Sequence, residues 1–103
     1  VTVAVQMMNM DAYFGFEVDW WVIACANGSW YYLGSQWTPF NGDVAYCRPV
    51  HQGALCDLAP YTVLNMVLPR GTHRIWFAVD YPMDGVLNLH GTLRMDNVTV
   101  VVQ

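Results

Sequence analysis

Apolar residues in this chain recur at every second position in short runs separated by turn signals, and no run shows the 3.6-residue period of an amphipathic helix. A chain patterned in this way can only make strands. Residues 1–8 (VTVAVQMM) set Val1, Val3 and Val5 on one side of a strand and Thr2, Ala4 and Gln6 on the other. Glu17 to Ala26 (EVDWWVIACA) is apolar on both sides, as a central strand is, with Trp21, Ile23 and Cys25 opposite Trp20, Val22 and Ala24. Asn27-Gly28 predicts a tight turn into the aromatic strand Ser29 to Leu33. From Gly34 to Pro60 the pattern dissolves into a long, partly irregular connection. It resumes at Tyr61 to Leu68, at Thr72 to Asp80 with Ile75, Phe77 and Val79 on one face, and at Thr92 to Val102.

About seven such strands in 103 residues predict one all-β domain spanning residues 1–103, an immunoglobulin-like two-sheet sandwich. The chain is 55% hydrophobic and 12% charged, with four scattered Arg, no Lys and a formal charge of −4. That balance argues against nucleic acid and anionic membrane surfaces as partners, both of which need clustered cations. No apolar run is long enough to insert in a membrane as a helix. The three cysteines lack metal or redox spacing, so the expected pairing is a Cys47–Cys56 disulfide stapling the long connection. A Cys25 bridge to either, an intermolecular bridge and three free thiols are the alternatives. A disulfide implies an oxidising compartment, and the start at Val1 suits a mature secreted or surface chain after leader removal, or an excised fragment.

The segment LPRGTHRIWFAVDYPMDGVLNLHGTLRMDNVTVVV resembles the closing half of immunoglobulin-like modules of bacterial secreted and surface proteins. Those modules read L-P-x-G-T-Y, an aromatic strand ending in V-D, an M-D/N-G-x-L-D loop and a D-x-V-x-V strand. Asp19 to Trp21 and Gly53 to Tyr61 also fit. The resemblance implies a repeat-type β-sandwich within a larger assembly. It departs at His73, where Tyr is usual, so a tyrosine-corner hydrogen bond does not carry over.

Several residue sets are candidate sites. Asp80, Asp84 and Asn88 have the spacing of calcium-loop ligands, but Pro82 and Gly91 stand where two further ligands belong, so calcium competes with a plain Asp/Gly turn. His51, His73 and His90 lie on separate elements, and the six methionines are read as packing. Glu17 and Asp19 offer a carboxylate pair or a solvated strand end, and without any nucleophile motif the chain reads as no enzyme. Trp20, Trp30, Trp37 and Trp76 are a candidate binding surface suited to stacking on polysaccharide, unless the 34–60 connection folds over them. Asn27 and Asn97 head glycosylation sequons.

The termini supply the leading reading. Val1, Val3 and Val5, with Val98, Val100 and Val102, form strands without the Lys or Pro that guard sheet edges, every Pro being assigned to a turn or loop. They predict an extracellular structural module that assembles with copies of itself or neighbouring domains by strand addition, as in a fibre or surface layer. A carbohydrate-binding module and a calcium-stiffened spacer are the alternatives.

Overall fold

The computed structural model describes residues 1–8, 14–88 and 92–103, with Leu93 described by its backbone alone. Eight strands follow in order: β1 (Thr2–Met7), β2 (Glu17–Ala26), β3 (Ser29–Leu33), β4 (Trp37–Phe40), β5 (His51–Ala54), β6 (Leu58–Asn65), β7 (Gly71–Asp80) and β8 (Thr92–Val102). A 3-10 turn at Val44–Tyr46 is the only helical element among the described residues. Two antiparallel sheets pack into a β-sandwich. One is the pair β1-β6 and the other runs β4-β3-β2-β7-β8, with β5 also paired to β2.

β2 is the centre of the large sheet because both of its faces are apolar. Its whole length from Asp19 pairs with β7, while its other edge is shared, Glu17 to Trp20 pairing with β5 and Ile23 to Ala26 with β3. One face of β2 and β7 meets the small sheet, where Trp20, Val22, Ile75, Phe77 and Val79 pack against Met7, Val63 and Leu64. Each such buried side chain contributes about 1.5–3 kcal/mol. The opposite face carries a second core of Trp21, Ile23 and Ala78, covered by Cys47 and Leu87 from the connections, with Val44, Phe40 and Trp76 alongside.

The 34–60 segment is therefore more ordered than its composition suggests. It holds β4, the 3-10 turn and β5, and its Val44 to Cys47 stretch forms part of a third layer. β6 begins at Leu58, so Pro60 lies inside a strand, and Pro39 lies inside β4. The assignment of every proline to a turn or loop is corrected at these two positions.

The expected Cys47–Cys56 disulfide is also corrected, since all three cysteines are free thiols. Cys47 is buried in the second core, whereas Cys56 is exposed and borders a cleft with Trp20, Val22 and Phe77 on the other face. The large sheet stands between the two sulfurs.

Two corners fix the sandwich. Asn27 adopts φ 51° in the β2–β3 turn, and its Nδ2 donates to Arg70 O (3.0 Å) while its Oδ1 accepts from Thr72 N (3.0 Å). Gly71, at φ 131°, has no room for a Cβ, which would overlap the Asn27 amide. The Asn27 sequon is thus occupied by a structural hydrogen-bonding role. Just beyond, buried His73 donates through Nε2 to Pro69 O at 2.8 Å. That bond ties the start of β7 to the turn that precedes it.

Candidate functional site

The four candidate tryptophans do not share a surface. Trp20 is 5% exposed and sits in the main core with its ring centre 6.1 Å from Phe77, and Trp37 packs against the same core. Trp30 and Trp76 lie on the opposite face, stacked at 5.4 Å and 21°, with Phe40 beside Trp30 and the Arg74 guanidinium 5.8 Å from the Trp76 ring centre. Alternation along the strands sends two to each face, and all four are buried or half-buried. No platform of all four forms, and Trp30 with Trp76 is the pair that stacks on one face.

The acidic residues also have structural partners. Asp19 and Asp80 are register partners on β2 and β7 and are both fully buried. Asp80 Oδ1 accepts from Trp21 Nε1 (2.6 Å) and Oδ2 from Asn88 N (2.8 Å). Asp19 Oδ1 accepts from Gln52 Nε2 (2.7 Å), and Oδ2 from Gly85 N (2.7 Å) and Asp84 N (3.2 Å). Asp84 closes its own turn through Val86 N (3.0 Å). These carboxylates thus latch the Tyr81–Asn88 loop onto the sheet through its amides. A cation site needs convergent oxygens, whereas here N–H groups converge on the oxygens, and no group of three His, Cys, Asp or Glu side chains placed to hold a metal forms among the described residues. Asp80 thus has both carboxylate oxygens, and Asp84 its Oδ1, accepting from N–H donors; Gly91 lies outside the described residues, as do His90 and Met10.

Burial pushes the Asp80 carboxyl above its ordinary range against the pull of the Asn88 and Trp21 donors, with the charges of Asp19 and Asp84 adding to the rise. Asp19 is not the solvated strand end expected beside Glu17. Only Glu17 is exposed, and the two do not form a reacting pair because Asp19 has its oxygens occupied.

The strand edges differ sharply in protection. Five strands have an open edge among the described residues: β1, β4, β5, β6 and β8. Pro39 breaks the donor row of β4 and Pro60 that of β6, and β5 is only four residues long. β1 has no proline and no charge. β8 has eleven residues, no proline, Arg94 and Asp96 in its first half, and no charge from Asn97 onward. A long edge of that kind is a template for pairing.

The two unguarded edges lie on the same side of the sandwich. Val3, Ala4, Val5 and Gln6 of β1 border one groove with Asp96, Asn97 and Val98 of β8, and its floor is Ile75 and Phe77. Val3 and Val5 point inward and are half-buried, while Val1 and Val98 are exposed and Val100 and Val102 half-buried. On the other flank, beneath β6, two further clefts of about 310 and 290 Å3 open. His51 and Tyr61 border the first, His73 and Trp37 the second. All three openings have one cause, a sheet two strands wide laid on one five strands wide.

The edge residues Ala4 and Gln6 carry no motif, and only the absence of Lys and Pro nearby signalled them, while Asp96 and Asn97 stand in a D-x-V-x-V run and a sequon that do not point to an edge. The guarding role of Pro39 and Pro60 is not legible from their segments, whose composition is that of a loop. No protein-family model, curated protein or solved structure matches the chain.

Proposed function

We propose that the chain is an immunoglobulin-like structural module of an extracellular assembly, such as a fibre or surface layer, joined to its neighbours by strand pairing along the side bounded by β1 and β8. The observation that carries this reading is the asymmetry of edge protection. Three open edges are guarded by proline or shortness, and the two unguarded ones border a single apolar-floored groove. Pairing there would satisfy backbone donors and acceptors while covering Ile75 and Phe77, at about 25 cal/mol per Å2 of apolar surface removed from water.

The strand order supports the immunoglobulin-like part. β8-β7-β2-β3-β4 runs as G-F-C-C′-C″ does in variable-type domains, and β1-β6 as B-E. Trp20 is buried on the strand corresponding to C and faces the small sheet, and His73 takes the corner position at the start of the strand corresponding to F. In that scheme B has a further neighbour on its outer edge, and β1 has none among the described residues.

The test places lysines on the groove walls, Ala4→Lys together with Val98→Lys. Both positions are exposed, so the fold should survive, as a cooperative melt would verify. Light scattering at micromolar concentration should show assemblies for the parent chain and 11.7 kDa monomers for the variant. Equal particle sizes would remove this side from the function.

A further inference from the structure

Resting on that reading, we propose that the partner at the β1/β8 side is a second copy of this chain, related by a twofold axis along the sheet normal, so that β8 pairs with β8 of the second copy and β1 meets its own counterpart. The structure favours a copy over a lone extended peptide for a geometric reason. Stacked sheets lie about 10 Å apart, so a single added strand continues one sheet and leaves the edge of the other unpaired. Here both sheets end unguarded on the same side. A twofold axis normal to the sheets makes adjacent edge strands antiparallel in both layers at once, and the interface is self-complementary.

The charges fit a copy as well. β1 has none, and β8 has only Arg94 and Asp96, two residues apart and therefore on the same face of the strand. Antiparallel pairing of β8 about Met95 sets Arg94 opposite Asp96 of the second copy, and by symmetry the reverse. Opposite charges directly across a strand pair are favourable and like charges are not. The same register pairs Val98 with Thr92 of the second copy and leaves the uncharged end of β8 overhanging. The assembly unit is then a closed dimer. A longer fibre or layer would grow from it through other surfaces.

Sedimentation equilibrium of the full chain over a range of concentrations tests this, together with charge reversal. The parent should plateau at twice 11.7 kDa. Arg94→Asp and Asp96→Arg should each weaken dimerisation at least tenfold, because each sets like charges opposite one another twice. An equimolar mixture of the two variants, and the double variant Arg94→Asp/Asp96→Arg, should both regain the parent's dimer, which also shows that the single variants are folded.

Open-ended growth that the groove lysines block would overturn the twofold pairing while leaving the proposed function standing. A parent that stays monomeric at all concentrations would overturn both. A dimer indifferent to charge reversal would overturn the register and the twofold pairing of β8.

Discussion

Trp21 and Asp80, 59 residues apart in sequence, are joined by a hydrogen bond of 2.6 Å from the indole Nε1 to the carboxylate, with both residues wholly buried. The neighbouring Trp20 is almost as deeply buried, yet its Nε1 has no partner among the described residues. Adjacent tryptophans on one strand therefore predict different responses to the same change. Trp21→Phe leaves a buried carboxylate short of a donor and should cost about 3 kcal/mol, whereas Trp20→Phe loses only packing and should cost about 1 kcal/mol. Urea unfolding midpoints measure both. The reverse order would contradict the role given to Asp80 as the latch of the Tyr81–Asn88 loop.

The same latch predicts a pH dependence. Burial raises the Asp80 pKa in the folded state, so between its ordinary value and the raised one the native chain binds more protons than the unfolded chain. Stability from this group is then fully present below the ordinary carboxylate pKa and falls as pH rises through the raised one. Asp80→Asn should flatten that fall relative to the parent in chemical denaturation series across the acidic range. An unchanged profile would place the proton uptake elsewhere.

His73 reaches back to Pro69 O and is 2% exposed. His73→Phe keeps the ring and loses the bond, which leaves a carbonyl unpaired and should cost about 1–2 kcal/mol. His73→Tyr restores a donor at the same corner, and should lose less than the phenylalanine variant. Thermal melting of the three proteins decides the order.

The thiols should separate cleanly in reactivity. Cys47 is buried and its pKa is pushed up to about 11 by burial, with the nearby Asp43 charge adding to the rise, whereas Cys56 is exposed. Iodoacetamide at mildly alkaline pH should label Cys56 in the native chain and reach Cys47 only on unfolding. Because the unfolded thiol ionises from about 9 and the folded one from about 11, stability should decline as pH rises between those values. A Cys47–Cys56 linked peptide in a non-reducing digest would contradict the free-thiol arrangement.

Much of the sandwich is legible in the sequence because a period of two states both the element and its faces. The bounds of β2, β3 and β8 follow from the pattern, and its opposed faces (Trp20, Val22 against Trp21, Ile23) are the two faces that pack into separate cores. β4 and β5 escape notice because four-residue strands are too short to alternate visibly, and each has a glycine or proline within it. The latch is illegible for another reason. Asp19 looks solvated beside Glu17, and only the register that sets it against Asp80 and brings Gln52 within 2.7 Å explains its burial. The edge pair is half legible: the missing Lys and Pro are plain in the sequence, but that β1 and β8 border one groove is a property of the packing.

Amide hydrogen exchange at rising protein concentration tests assembly along the β1/β8 side most directly. Amides of Thr2–Met7 and Thr92–Val98 should become more protected as concentration increases, while those of the guarded strands β4 and β5 stay constant. Protection that does not change with concentration in β1 and β8, or that grows in β4 and β5 instead, would contradict the account.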